Sequence, residues 1–187
     1  MGVPRGSTEL AERPARGDRY GVSGFRRKIL EREILERRVS GDALRISDAL
    51  LRRIHAHGVE TYPHECCGAL LGKDGETSRE VVELLPLANR RDDSPRNRFE
   101  VTPSDVQRAE KKAREMRVDV VGWYHSHPDA PARPSEFDRE HAWPWYSYII
   151  VSVEAGDPRD TKSWRLRDDR SAYDPEVIES VAQSASI

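Results

Sequence analysis

Hydrophobic positions divide the chain into a polar segment and a longer periodic part. Residues 1–24 carry almost no apolar side chains, so they cannot offset the entropy cost of ordering and are predicted to form a disordered N-terminal extension. Over residues 25–40, apolar residues recur among Arg and Glu at helical spacing. This pattern predicts an amphipathic helix that packs on the rest of the protein or on a second copy in a homodimer.

The pattern from residue 43 to 167 predicts one domain with mixed strands and helices. Strands are predicted at 44–46, 66–71, 80–85, 99–101, 119–125, 147–153 and 162–167, and helices from Ser47 to Gly58 and from Thr102 to Arg117. Ser47 and Thr102 are typical N-caps, and Pro103 suits a first helical position. Residues 88–98 are interpreted as a polar loop and residues 168–187 as a C-terminal tail. The mixture of elements favours an α+β or α/β fold.

Composition narrows the class of protein without deciding its chemistry. A chain of 187 residues with 36% hydrophobic content fits one domain with an extension. The 31 basic and 33 acidic residues give a net charge of −2, which argues against nucleic acid as a partner. No run approaches the roughly 18 apolar residues of a membrane helix, so no membrane association is expected. The adjacent cysteines Cys66 and Cys67 make a poor disulfide framework, which favours a cytoplasmic location.

Two histidines near the end of a predicted strand are the strongest chemical signal. Strand side chains alternate between faces, so His125 and His127 project to the same side. A proline-rich loop then returns the chain, and Ser135 opens a short helix in which Asp138 lies one turn inside. Two imidazoles and one carboxylate are ligands that zinc accepts while a fourth position stays open for water. The run therefore predicts a hydrolytic zinc site.

Each part of this pattern also has a structural interpretation. A His-x-His pair often occurs by chance, and Ser-x-x-Asp is usually only a helix cap. Cys66 or Cys67 could complete a structural zinc site, or act as a thiol nucleophile, but neither has the paired spacing or the basic neighbours that these roles need. A zinc deaminase would require Pro-Cys-x-x-Cys, which the chain lacks. Three ligands with a water molecule explain the pattern best.

A hydrolase of this kind also needs a carboxylate to carry the proton of the attacking water. The candidate is Glu65, in the run His64-Glu65-Cys66-Cys67-Gly68. This run differs from the His-Glu-x-x-His zinc helix because Gly68 stands at the position of the second histidine. From the pattern alone, Glu65 is equally well explained as a solvated acid that precedes a buried strand.

The order Glu65, His125-Ser126-His127-Pro128 and then Ser135-x-x-Asp138 resembles the JAMM motif of the MPN-plus metallopeptidases. The runs 63–72 and 122–124 are similar to the small bacterial branch of that family. The resemblance implies a three-layer, cytidine-deaminase-like domain with a mixed central sheet flanked by helices. It also implies that His125, His127 and Asp138 hold one Zn²⁺, that Glu65 is the general acid/base and that Ser135 stabilises the oxyanion.

The resemblance further implies a substrate class. Small bacterial members resemble enzymes that hydrolyse the amide bond after the C-terminal Gly-Gly of a ubiquitin-like or sulfur-carrier protein. Short segments at 74–98 and 140–146 favour a small substrate over a large ubiquitin grip. The alternative is a non-enzymatic MPN module that binds a ubiquitin-like partner, but no motif position is substituted in this chain.

Overall fold

A computed structural model describes residues 43–75, 78–88 and 101–181. The predictions for residues 1–24 and 25–40, and most of those for the polar loop 88–98 and the strand 99–101, concern residues outside these ranges. Within them, no helix combines the length and the apolar composition needed to cross a membrane.

The described residues form seven strands and three helices. In chain order the elements are β1 (Ala43–Ser47), α1 (Asp48–Thr61), β2 (Cys67–Asp74), β3 (Ser78–Leu87), α2 (Pro103–Met116), β4 (Asp119–Pro128), α3 (Glu136–His141), β5 (Ser147–Glu154), β6 (Asp157–Leu166) and β7 (Tyr173–Val181). The expected α+β class is confirmed, since one mixed sheet is combined with helices.

The strands form one mixed sheet in the order β3, β2, β4, β5, β6, β7. Strand β1 pairs in parallel with both β3 and β7, so the sheet closes on itself. At its centre, β4 is antiparallel to β2 and parallel to β5. Nine of the ten residues of β4, from Val120 to Pro128, are buried, as expected for a strand with a packed layer on each face.

Two hydrophobic clusters cover the two faces of the sheet. One contains Leu50 and Ile54 of α1 with strand residues such as Val121 and Ile149. The other contains the α2 residues Ala109 and Ala113 with strand and loop residues, including Cys67, Trp123 and Tyr148. The sheet therefore lies between α1 and α2. The polar residues 125–127, at the C-terminal end of β4, are packed between these two layers.

Helix α1 differs from its prediction, because it continues through Gly58 to Thr61. A Cβ atom at Gly58 would lie 3.1 Å from Val153 Cγ2 and 3.3 Å from the Cβ atom of Ser126. Gly58 therefore permits close packing of α1 on β4 and β5 and does not end the helix.

The segment after Arg167, which the sequence pattern suggested was a tail, contributes strand β7. This strand pairs with β6 and with β1 and so completes the ring of strands. The alternation of buried and exposed residues in β7 is hard to recognise from the sequence, because its most deeply buried residue is an acid, Glu176, at 7% exposure. The apolar residue Val177 is 62% exposed, opposite to the usual pattern.

Candidate metal centre

Strand β4 brings His125 and His127 to the same face of the sheet. Their side chains are buried, and their Nε2 atoms lie 3.0 Å apart. Ser126 between them points to the other face, where its hydroxyl accepts a hydrogen bond of 2.9 Å from the Cys66 N–H group. Two imidazole nitrogens thus face one point at the end of a rigid central strand.

The loop after β4 and helix α3 bring Asp138 to the same point. Its Oδ1 atom lies 3.5 Å from His125 Nε2, and its Oδ2 atom lies 3.6 Å from His127 Nε2. Two side chains of the neighbouring strands hold this loop in place. Ser152 Oγ donates to the Ala130 carbonyl at 2.7 Å, and Trp164 Nε1 donates to the Ala132 carbonyl at 3.1 Å. We call His125, His127 and Asp138 the metal corner.

A backbone carbonyl fixes the tautomer of His127. Its Nδ1 atom lies 3.0 Å from the Pro131 carbonyl oxygen, which can only accept a hydrogen bond, so Nδ1 carries the proton. The neutral ring then presents the Nε2 lone pair toward His125 and Asp138. This arrangement is common for metal-binding histidines, whose second nitrogen donates to a carbonyl or a carboxylate. Apart from the stiffness of the proline-rich loop, no sequence pattern pointed to the Pro131 carbonyl.

The spacing and the electrostatics of the metal corner fit a small divalent cation. Ligand atoms about 2.0 Å from a tetrahedral ion are about 3.3 Å apart, close to the separations of 3.0, 3.5 and 3.6 Å found here. Burial lowers the pKa of His125 and so favours the neutral ring that a metal requires. Burial acts in the same direction on His127, but Asp138 and the Pro131 carbonyl outweigh it and raise the pKa of that ring, so metal binding there competes with a proton. Burial favours the protonated form of Asp138, but the histidines and Ser135 outweigh it and lower the pKa of the carboxyl.

Glu65 lies beside the metal corner just before β2. Cys67 pairs with His125, and the Ser126 N–H group donates to the Cys66 carbonyl at 3.2 Å, so the register places Glu65 opposite His127. Glu65 is only 5% exposed, and burial raises the pKa of its carboxyl to about 8, although the nearby His127 acts in the opposite direction. A carboxyl that titrates near neutral pH is suited to proton transfer. Its catalytic role stays a prediction.

Ser135 caps α3 and contacts Asp138 through both its backbone and its side chain. The Ser135 hydroxyl donates to Asp138 Oδ2 at 2.7 Å and accepts from the Asp138 N–H group at 3.1 Å. The backbone N–H group of Ser135 also donates to Oδ2, at 2.6 Å. Ser135 is exposed, so a substrate can reach its hydroxyl. The predicted role in oxyanion stabilisation requires this proton to turn from Asp138 to the substrate.

Neither cysteine joins the group of metal-ligand atoms found in the described part of the chain. Both thiols are buried and free, and burial raises the pKa of Cys66 to about 11 and that of Cys67 to about 12. A thiol with such a pKa is a poor nucleophile at neutral pH. The geometry therefore favours a core role for both residues.

A pocket of about 280 Å³ opens beside the metal corner, with His125 and Asp138 in its wall. We call it the aromatic pocket, because six of its lining residues are aromatic: Trp123, Phe137, Trp143, Tyr146, Tyr148 and Tyr173. Sequence reasoning assigned none of them to a site. The aromatic run at 143–146 was the available signal, but Tyr173 lies on β7, whose position only the fold reveals.

The sequence of this domain is similar to those of known proteins. The sequence model described as prokaryotic homologs of the JAB domain matches residues 47–167. A desampylase from Haloferax volcanii is 34% identical over 108 residues, which cover 57% of this chain and 76% of that protein. A CysO-cysteine peptidase from Mycobacterium tuberculosis is 29% identical over 128 residues, which cover 67% of this chain and 84% of that protein.

A solved structure is also similar to this chain. A protein from Salinibacter ruber, known from its solution structure, is 39% identical with a TM-score of 0.60, and the match covers 76% of this chain and 95% of that one. The JAB match spans β4 and α3, which carry the metal corner, as well as Glu65. The chain therefore belongs to the family of prokaryotic homologs of the JAB domain, and it is a JAMM-type hydrolase.

Proposed function

We propose that this protein is a zinc-dependent peptidase or isopeptidase that hydrolyses the amide bond after the C-terminal Gly-Gly of a ubiquitin-like or sulfur-carrier protein. The observation that carries the proposal is the convergence of His125, His127 and Asp138 beside the buried Glu65. The names of the relatives support the substrate class, since one is a desampylase and another a CysO-cysteine peptidase.

The ligand set explains why zinc is the proposed metal. His125 and His127 offer Nε2 atoms and Asp138 offers a carboxylate oxygen, and three such ligands are typical of catalytic zinc sites. Bound zinc supplies a Lewis acid for the substrate carbonyl and lowers the pKa of a water molecule from 15.7 to about 7. The packed strand β4 and the fixed Pro131 carbonyl hold the ligands in place and limit their reorganisation during the reaction.

Glu65 is the proposed proton carrier. Its carboxylate accepts the proton of the attacking water and delivers it to the departing nitrogen, so that the amine leaves in its neutral form. The burial that raises the pKa of Glu65 to about 8 makes the protonated form accessible at neutral pH, which the second transfer requires.

Ser135 is the proposed donor to the developing oxyanion. Its hydroxyl is exposed and lies next to Asp138, so it can rotate from Oδ2 to a substrate carbonyl oxygen at the same corner. The Ser135 N–H group remains on Oδ2 in that case and keeps the ligand oriented. A hydroxyl that stabilises charge only in the transition state raises kcat more than it lowers KM.

The test is cleavage by the purified full chain. The probe is a sulfur-carrier protein extended by one residue after its Gly-Gly terminus, with the products weighed by mass spectrometry and zinc measured by elemental analysis. We expect one zinc per chain and cleavage that a chelator abolishes and added zinc restores. In Glu65→Gln zinc stays bound but cleavage is lost, whereas the matched carboxylate variant Glu154→Gln, at an exposed strand end, behaves like the wild type.

The opposite result supports the non-enzymatic alternative. Protein that holds no stoichiometric zinc and cleaves no Gly-Gly-extended carrier, but still binds the carrier, would be an MPN binding module. A cytoplasmic location is part of the proposal and is supported by two buried cysteines that are free thiols. The homodimer predicted through residues 25–40 concerns residues outside the described ranges and stays a prediction.

A further inference from the structure

The aromatic pocket begins at the reacting centre, because two of the metal ligands form part of its wall. The proposed mechanism uses His125 and Asp138 but none of the six aromatic side chains. A pocket of about 280 Å³ is large enough for one amino-acid side chain and too small for a folded partner. Its position means that any group inside it belongs to a residue close to the scissile bond.

Two tyrosine hydroxyls of the pocket wall are already engaged by the protein. The Tyr148 hydroxyl accepts from the Trp143 N–H group at 2.7 Å and donates to the Trp143 carbonyl at 3.0 Å. The Tyr173 hydroxyl donates to the Asp138 carbonyl at 3.2 Å. The pocket consequently presents mainly ring carbon, with which an apolar group interacts best.

The loop at 142–146 forms one wall and is held from several sides. The buried Arg79 guanidinium donates to the Trp145 carbonyl, and its Cζ atom lies 4.5 Å from the centre of the Trp145 ring. Arg170 Nη1 donates to the Ala142 carbonyl at 2.8 Å. Tyr146 packs edge-on against Trp123, with ring centres 5.9 Å apart. A wall fixed in this way binds without paying for its own ordering.

The charge of the pocket selects against ionic side chains. Among the described residues that line it there is no Lys, Arg or Glu, and its one carboxylate, Asp138, is a proposed metal ligand. A charged side chain would lose its water without gaining an ionic partner. At the rim, Trp143 is 64% exposed although its backbone is fixed by Tyr148, so its indole is available to cover an incoming side chain.

We propose that the aromatic pocket binds one apolar or aromatic side chain of the peptide substrate and thereby sets the sequence preference of the enzyme. The inference rests on the proposed function, since it assigns a substrate class to the same site. Glycine has no side chain, so a Gly-Gly substrate can fill the pocket only from the residue released by cleavage or from the residue that precedes Gly-Gly.

Two series of internally quenched peptides test the assignment with the zinc-loaded full chain. In one series the residue after Gly-Gly is Ala, Leu, Phe, Lys or Glu, and in the other the residue before Gly-Gly is varied in the same way. We expect Leu or Phe to raise kcat/KM about tenfold or more over Ala in one series. Lys and Glu should perform no better than Ala.

Variants connect the preference to the pocket. Trp143→Ala should reduce the advantage of Leu and Phe over Ala to about threefold or less, while the zinc content of the protein stays the same. Val177→Ala is the matched control, because Val177 is similarly exposed, at 62%, but lies on β7 and does not line the pocket. It should leave the preference unchanged.

Each outcome decides something. The series that shows the preference identifies which substrate residue enters, whereas equal rates across both series overturn the pocket assignment while leaving the hydrolase proposal intact. If no peptide is cleaved, the proposed function is decided by the Gly-Gly-extended carrier protein, and the pocket is tested by fluorescence anisotropy of labelled forms of the same peptides bound to Glu65→Gln. Leu or Phe peptides that bind tenfold more tightly than the Ala peptide, with an advantage that is lost when Trp143→Ala is added, would support the pocket assignment by itself. Equal binding of all peptides would overturn it.

Discussion

Two clusters of buried polar side chains among the described residues are built on different principles. In the first, which we call the Arg79 cluster, donors alternate with acceptors. Arg79 Nε donates to Asp74 Oδ1 at 3.1 Å, Arg79 Nη1 donates to Ser147 Oγ at 3.2 Å, and Ser147 Oγ donates to Glu176 Oε1 at 3.0 Å. Arg165 Nε lies 3.9 Å from Glu176 Oε1, so the cluster combines two basic groups with two carboxyl groups and requires no further ion.

The metal corner has the other composition. Two imidazole nitrogens and a carboxylate oxygen converge within 3.0–3.6 Å, and the Nδ1 proton of His127 is already committed to Pro131. Lone pairs directed at one point repel each other unless a cation lies between them. The comparison teaches that burial and polarity alone do not indicate chemistry. A cluster that balances its own charges holds the fold together, whereas a cluster whose ligand atoms converge on one point is suited to bind a cation.

The largest expected effect comes from removing a ligand. His127→Ala should lose stoichiometric zinc and lower kcat/KM by roughly a thousandfold or more, because the metal supplies several kcal/mol of transition-state stabilisation. Elemental analysis and peptide cleavage measure the two losses. The control is His57→Ala, since His57 contacts the Tyr124 hydroxyl at 2.9 Å and is absent from the metal corner. If His57→Ala also lost zinc, the loss in His127→Ala could not be assigned to a missing metal ligand.

The next effect separates proton transfer from metal binding. Glu65→Gln should retain zinc and lower kcat by roughly a hundredfold to ten-thousandfold, as expected when a general base is removed. The wild-type rate should fall on the acidic side as Glu65 becomes protonated, and bound metal should draw its pKa below the metal-free value of about 8. If Glu65→Gln lost zinc, Glu65 would instead be a residue that holds the metal corner in place.

A smaller effect distinguishes a helix cap from an oxyanion donor. Ser135 and Thr102 form similar capping boxes, at α3 and α2, but only Ser135 lies at the metal corner. Ser135→Ala should cost on the order of 3 kcal/mol in the transition state for the loss of one donor. Thr102→Ala should cost about 1 kcal/mol of folding stability and leave kcat unchanged. Urea unfolding and steady-state kinetics give both values, and equal kinetic effects would reduce Ser135 to a structural cap.

Sequence reasoning reached those parts of the site that depend on short-range geometry. Strand alternation places His125 and His127 on one face, and the Ser-x-x-Asp spacing predicts the capping box that orients Asp138. Three prolines predict a stiff returning loop. Each of these features is decided within a few residues, where backbone geometry leaves few choices.

The rest of the molecule depends on contacts between distant segments. Glu176 looks like a solvent-exposed acid in the sequence, but Ser147 on β5 and Ser163 on β6 make its burial possible. The aromatic pocket likewise combines α2, α3, β4, β5, β7 and the loop at 142–146. No local pattern encodes such neighbours, so strand β7 and the pocket could be recognised only from the fold.

The smallest predicted effect concerns the pH dependence of the Arg79 cluster. Burial raises the pKa of Glu176 in the folded protein above its ordinary value of 4.5, although the Ser163 and Ser147 hydroxyls act in the opposite direction. A carboxyl with a raised folded pKa contributes stability that is fully present below about pH 4.5 and is lost as pH rises through the folded value. As the pH rises from about 4.5 through the folded-state pKa of Glu176, the free energy of unfolding of the wild type should therefore fall relative to that of Glu176→Gln.

Urea unfolding of both proteins at several pH values, with and without zinc, measures this difference. Zinc should stabilise both proteins but leave the difference between them unchanged, because the Arg79 cluster is balanced without the ion. Zinc content and kcat should also be the same in Glu176→Gln and in the wild type. A difference that changed when zinc was added would mean that the two clusters are coupled, and the distinction between a self-balanced cluster and a metal corner would then fail.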